Sequence, residues 1–225
     1  MPKDDVSEGH HDPRQEPFGY VCRRCLNCCH HKRIQLNPYE VARMARNRGV
    51  STTEFRGRWT VEGAGVALSQ TPDGACVFLG PEGCGVHPDR PLVCRLYPLG
   101  RHVSSDGVER FSRVTPHPRS EGSLTRDGTI AAFLEEQGAG PFIAAADDYL
   151  AWMYDALNRV EGAVDAAKSG PSGVDVVEDI LDMDAAIAED CTLSGRPAPA
   201  DIDDRKRLHL EILYRQTAGD TGSET

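Results

Sequence analysis

Residues 22–31 read CRRCLNCCHH, which places Cys22, Cys25, Cys28 and Cys29 within eight positions and His30 and His31 directly after them. Four thiols this close either pair with one another or bind something. A CxxCxxC run lets three thiolates fold back around one centre, with a fourth arriving from farther along the chain. Consecutive side chains tend to diverge, so Cys28 and Cys29 are expected to serve two metals, or two sides of one polynuclear centre, sooner than one tetrahedral ion.

The farther thiols are in CVFLGPEGCGVHPDRPLVCRLYP, which carries Cys76, Cys84 and Cys94. Gly80, Pro81 and Gly83 make a turn between the first two, and HPDRP gives a stiff connection into Cys94, a scaffold suited to a preorganised site. Seven thiols are one short of two four-ligand sites. The eighth ligand is assigned first to His117 in VTPHPRSEG, with His87, His30 and Cys191 as alternatives. Arg90 and Arg95 flank the last thiol in RPLVCR, and arginine keeps its charge and five donors at any working pH, so both are candidates to neutralise a thiolate centre. The competing reading makes them ties to carboxylates such as Asp89.

Compartment and charge narrow the chemistry. The first twenty residues are polar with no signal-like apolar run, and nowhere do about twenty apolar residues occur in sequence. A cytoplasmic protein without a membrane span is expected, and in a reducing compartment cysteines serve as metal ligands more readily than as disulfides. The net charge of −10 is uneven. Residues 21–118 carry 14 Arg and Lys against 8 Asp and Glu, or +6, and residues 119–225 carry 9 against 22, or −13. Positive charge around the cysteines is what a thiolate-bound metal needs. Those arginines are scattered among turns in an acidic chain, which disfavours nucleic acid and leaves an unidentified protein or small molecule as partner.

The elements that would hold these residues divide the chain into four. Residues 1–19 read as a disordered leader containing GHHDP, 20–118 as the cysteine region, 119–217 as a helical region packed on it, and 218–225 as a disordered tail. Within the cysteine region NPYEVARMARNRG is a helix, capped by Asn37, with Pro38 in its first turn and Gly49 at its end. Ser51 and Glu54 have capping-box spacing for a second. TIAAFLEEQG predicts a short helix ending at Gly138. PFIAAADDYLAWMYDALNRV puts Phe142, Ala145, Tyr149, Met153, Ala156 and Val160 on one stripe that reads as core. After the loop KSGPSG, VDVVEDILDMDAAIAED and DIDDRKRLHLEILYRQ predict two more helices. The fold class is therefore mostly α, with few short strands, among them a short hairpin near 76–79 and 108–114, an irregular, metal-centred cysteine lobe and a C-terminal helical region.

CxxCxxCC followed by Cys, Phe-Leu, Cys, Arg-Pro, Cys-Arg and Tyr-Pro resembles the YkgJ-like cysteine-cluster family, described as zinc- or iron-chelating domains. The resemblance spans roughly residues 22–98. It implies metal binding by Cys22, Cys25, Cys28, Cys29, Cys76, Cys84 and Cys94. Relatives often carry a further Cys-Pro downstream, where this chain has His117-Pro118. The family has no defined reaction. A larger relative that methylates flagellin lysines shares a similar cluster, which brings a metal-dependent methyltransferase into view. Against it, EGAG at 62–65 is a weak nucleotide loop, and the chain has no CxxxCxxC, Walker loop, GxSxG or HExxH. An iron–sulfur protein, with a 4Fe–4S cluster or iron, in a redox or cluster-dependent enzymatic role is favoured. A zinc-stapled interaction module is the alternative, because a small Gly- and Pro-rich region buries little apolar area and would draw stability from its metal.

Overall fold

The computed structural model describes residues 12–61, 65–164 and 182–218. The histidines of GHHDP, nearly all of EGAG, the KSGPSG loop, the first part of the acidic helix and the chain end from 219 lie outside the described residues. About half of what is described is helical, in seven α-helices joined by eight short strands that pair two by two.

The first helices form as their caps dictate. Helix α1, Pro38–Arg48, begins in a reciprocal capping box between Asn37 and Glu40 and ends on Gly49 in the left-handed conformation. Helix α2, Thr52–Trp59, starts where the Ser51 hydroxyl accepts from Glu54 N–H. The Glu54 carboxylate turns instead to Arg58, one helical turn on, at 3.0 Å.

Strand β1, Pro17–Val21, pairs antiparallel with β8, Ser123–Thr129. This corrects two expected boundaries. The leader is ordered over 12–19, because Phe18 is buried against Phe133, and residues 123–129 are strand, because they complete a ladder begun before the first cysteine. Strands β2, Thr60–Val61, and β3, Ala67–Leu68, pair next to α2. Strands β4, Leu79–Gly80, and β5, Gly83–Cys84, form a hairpin, and β6, Leu99–Val103, pairs with β7, Glu109–Arg113. The segments expected to be strands near 76–79 and 108–114 thus belong to two separate hairpins. Helix α3, Leu92–Leu96, carries Cys94.

Helices α4, Ile130–Glu136, α5, Gly140–Val164, α6, Met183–Ser194, and α7, Ile202–Ala218, build the other half. Their core gathers Phe142, Tyr149, Trp152, Met183, Ile187, Leu208, Ile212 and Leu213. Trp152, not Met153, continues the α5 stripe, and Met153 is 42% exposed. The rotation past seven residues favours the 149–152 step, and the larger indole fills more of the core.

Helix α1 serves both halves. Tyr39 and Ala42 face the helical core, whereas Val41, Met44 and Ala45 join Phe55, Val66, Leu68, Phe78 and Val86 in a second core beneath the cysteines. Cys76 and Cys84 pack at the edge of that second core. The cysteine region therefore has an apolar core of its own, because α1 and α2 lend it the faces that its turns lack. Thr52 ties α2 to α6: its hydroxyl donates to Asp182, its N–H to Asp184 at 2.8 Å, and Asp184 N–H returns a bond at 2.9 Å.

Candidate metal centre

The first cysteine run follows directly from β1. Arg24, Leu26 and His31 take φ of 53°, 62° and 55°, and among the described residues they are the non-glycine positions with positive φ. Such backbone costs on the order of 1–3 kcal/mol per residue and gathers at sites where geometry is imposed. The run turns tightly through Asn27–Cys29, where Cys29 N–H donates to Leu26 O at 2.9 Å.

Backbone bonds then sew this run to the second cysteine segment. Cys76 N–H donates to Cys29 O at 2.8 Å and His31 N–H to Gly74 O at 2.7 Å. Gly74 has to be glycine here: its φ is 81°, and a Cβ would lie 2.2 Å from His31 Nδ1. From Cys76 the chain runs through the β4–β5 hairpin to Cys84. It then passes through a turn at His87–Asp89 to α3 and Cys94.

Glu40 positions α3, a role its place in the capping box does not reveal. Its carboxylate is 4% exposed; one oxygen accepts Asn37 N–H at 2.9 Å and the other Leu92 N–H at 2.7 Å, at the first turn of the helix that bears Cys94. Burial pushes this carboxyl above its ordinary range, against the two N–H donors and the charge of Arg95.

All eight cysteines are free thiols, and the structure divides them. Cys28, Cys29, Cys76, Cys84 and Cys94 are half-buried, and Cys29, Cys76 and Cys94 each lie in the field of others of the set. The Cys28 and Cys29 sulfurs lie 3.9 Å apart, so these consecutive side chains converge where divergence was expected. In a tight three-residue turn successive side chains are about 120° apart, an angle that rotamers can close. Four thiolates about 2.3 Å from one tetrahedral ion would also lie roughly 3.8 Å from one another. With the Cys29 thiol donating, Cys28 is held down at about 7 and Cys29 is pushed up; the pair shares its last proton. Burial, then the nearby Cys76, Cys84 and Cys28, push the Cys94 thiol up to about 12, and burial raises Cys76 as well.

Cys22 and Cys25 form an outer pair. Cys22 is exposed, with Arg24 N–H 3.4 Å from its sulfur. Cys25 accepts Glu121 N–H at 3.5 Å, and the N–H groups of Glu121 and Asn27 hold its thiol below the ordinary range. Asn27 Nδ2 donates to Arg119 O at 2.9 Å, so the 117–121 loop lies against this pair. His117 belongs to that loop: its Nδ1 accepts Arg119 N–H at 3.1 Å and its own N–H donates to Tyr97 Oη at 3.0 Å. His30 places Nδ1 3.3 Å from Leu26 O. His87 is exposed, and Cys191 packs against the helical core.

The two arginines differ. Arg95 is 6% exposed and donates to Arg90 O at 3.0 Å, to Gln137 O at 2.8 Å and to Pro88 O, with its guanidinium 3.9 Å over the Phe142 ring. Its fork is spent on carbonyls, neither on thiols nor on the carboxylates of the competing reading. Burial, with Arg90 and Arg43 nearby, lowers it to about 10. Arg90 donates to His87 O at 2.8 Å and Gln137 Oε1 at 2.7 Å while lying in the field of Cys94, Cys84 and Cys22.

Among the described residues no three His, Cys, Asp or Glu side chains stand together as a formed metal site. The donor chemistry nonetheless fits one kind of ligand. Half-buried thiols without a carboxylate among them suit thiophilic zinc or iron and disfavour hard, oxygen-seeking cations. No helix of the described residues is long and apolar enough to cross a membrane.

Comparison with known families agrees with that chemistry. Residues 21–114 match the family model CxxCxxCC, described as a "putative zinc- or iron-chelating domain". The match takes in all seven clustered cysteines and stops before His117 and before the helical half. No curated protein and no solved structure matches the chain.

Proposed function

We propose that the protein holds an iron–sulfur centre on its clustered thiols and works in electron transfer or cluster-dependent chemistry in a reducing compartment. The observation that carries the reading is the side-by-side seating of two distant cysteine segments, joined by the Cys29–Cys76 and His31–Gly74 backbone bonds. Cys28, Cys29, Cys76, Cys84 and Cys94 would hold the centre from within, with Cys22, Cys25 and His117 at its outer side. A bound cluster would supply one-electron chemistry. The chain's own residues keep the inner thiols out of bulk water, fix α3 through Glu40 and support the outer run through the 117–121 loop.

A zinc-stapled interaction module is the second reading, favoured by the small apolar core beneath the cysteines, which zinc would brace. An enzyme would need a pocket beside the thiols. The open groove of about 580 Å³ between α5 and α7 is lined by residues such as Asp148, Lys206, Leu210 and Tyr214, with no cysteine. Anaerobic purification followed by metal and acid-labile sulfide analysis decides between the readings. Iron with sulfide supports the cluster, and stoichiometric zinc without sulfide overturns it in favour of the module.

A further inference from the structure

Between Cys22 and Tyr39 the chain carries Arg23, Arg24, Lys32 and Arg33 and no Asp or Glu. All four side chains are exposed. Arg119, also exposed, joins them through the bond from Asn27 to its carbonyl. Among the described residues none of these five pairs with a carboxylate, although elsewhere the arginines and lysines of α5 and α7 do so repeatedly. Position ties them to the thiols: Arg23 and Arg24 separate Cys22 from Cys25, Lys32 lies in the field of Cys28, and Arg24 in that of His87. Of the acids on neighbouring loops, Asp73 accepts from the Thr71 hydroxyl and Glu121 turns its N–H to Cys25.

Neutralising a metal centre does not use up this charge. A divalent ion with four thiolates carries a formal charge of about −2. The five side chains carry +5, and they point to solvent instead of inward. Arg24, within this run, takes left-handed backbone, and His31, next to Lys32, does so while its N–H is bonded to Gly74 O at 2.7 Å.

We infer that this basic collar around the mouth of the cysteine site is the docking surface for a partner protein with a carboxylate-rich face. Arginine forks match carboxylates two bonds at a time, and a compact acidic face fits a patch of five residues. A nucleic-acid strand fits less well. It would run off the patch toward a chain half carrying −13, and residues 22–36 hold no Phe, Tyr or Trp on which bases could stack. A partner seated here would lie over the exposed Cys22, at the shortest approach to the centre. The inference rests on the proposed centre only in placing that centre beneath the collar.

The test uses the full chain, purified anaerobically with its metal. Fluorescein-labelled oligoglutamate and a labelled single-stranded oligodeoxynucleotide of equal charge are titrated at low and moderate salt. Metal content is measured on every variant. The peptide should bind in a salt-sensitive way, and Arg23→Glu with Arg24→Glu, or Lys32→Glu with Arg33→Glu, should each weaken it roughly tenfold or more. Arg159→Glu, on α5, should leave it unchanged. If the first pair sheds metal, the second, outside the CxxC turn, still decides. No peptide binding by the native chain, or collar reversals that change it less than about twofold, overturns the inference. Tighter oligonucleotide binding that the same reversals abolish replaces the protein face with nucleic acid. Metal-free protein that still binds the peptide through the collar upholds the surface while the proposed centre fails.

Discussion

The helical half of the molecule pairs most of its cations with carboxylates, and the cysteine half leaves a run of them exposed without such partners among the described residues. In α5, α6 and α7, Arg159 pairs with Asp155, Lys206 with Asp148, Arg205 with Asp184, and both Arg196 and Arg215 with Asp190, over a core containing the fully buried Leu213 and Met183. In the cysteine half five exposed cations have no carboxylate partner among the described residues, five thiols are half-buried, and three non-glycine residues take left-handed backbone. Burial and pairing account for most of the first half, although the buried Trp152 Nε1 has no hydrogen-bond partner among the described residues. The second leaves half-buried thiols and exposed cations, the two features on which the proposed centre and the proposed docking surface rest.

Metal removal should widen that contrast most. Structural zinc in small peptides contributes about 10–16 kcal/mol to folding; here the apolar core on α1 and α2 should reduce the loss to several kcal/mol. Chelation of the loaded protein should lower Tm and open amides in 22–31 and 74–85 before those of α5 to α7, read by hydrogen exchange. Uniform exchange across both halves, or an unmoved Tm after verified metal loss, would break the comparison. Leu213→Ala probes the opposite half: a fully buried leucine truncated to alanine should cost about 2–5 kcal/mol, with metal content unchanged. Coupled loss of metal would show that the halves are not separable.

Glu40 and Arg95 sit on the seam and sharpen the comparison further. Glu40→Ala leaves the N–H groups of Asn37 and Leu92 without their acceptor, at about 1–3 kcal/mol, and should loosen metal retention because α3 carries Cys94. Arg95→Gln should cost stability in the same range, since its donors serve the carbonyls of Pro88, Arg90 and Gln137. Metal retention should hold. A shifted metal affinity in Arg95→Gln with unchanged Tm would restore the charge-compensating role that its sequence position suggested.

Four helix ends were legible in the sequence because caps are local: Asn37, Ser51, Gly49 and Gly138 all act where spacing put them, whereas the five-residue α3 is too short to show a period and was read only as a stiff connection. The cysteine segments were legible as a set because soft donors at short spacing have few other uses. What sequence hid is long-range. Phe18 and residues 123–129 are a hundred positions apart, so neither signals a strand until the other is present. Met153 and Trp152 differ by one step on a helix, less than periodicity resolves at a half-buried edge. Convergence of Cys28 and Cys29 depends on rotamers within one turn, and the spending of Arg95 on carbonyls depends on where Gln137 arrives. Glu40 did leave a trace, since Asn37 and Glu40 have the spacing of a capping box, but its hold on Leu92 had none.

The smallest effect belongs to Asp190, the best paired acid of the helical half. Arg215 and Arg196 bond its carboxylate, at 2.5 and 2.8 Å, and hold it below the ordinary carboxylate range. Both arginines are about half exposed, so solvent and salt screen the interaction and Asp190→Asn should cost no more than about 1 kcal/mol. The sign follows from the depressed pKa. The stabilisation is complete above the ordinary value of about 4 and is lost as pH falls through the lower folded value, so the variant and native proteins should converge in stability below about pH 4. Metal content should not change at neutral pH. A difference in Tm that persists undiminished in acid, or that ignores added salt, would mean that Asp190 supports α6 and α7 by shape and hydrogen bonding, and that the helical half depends less on paired charge than its contrast with the collar implies.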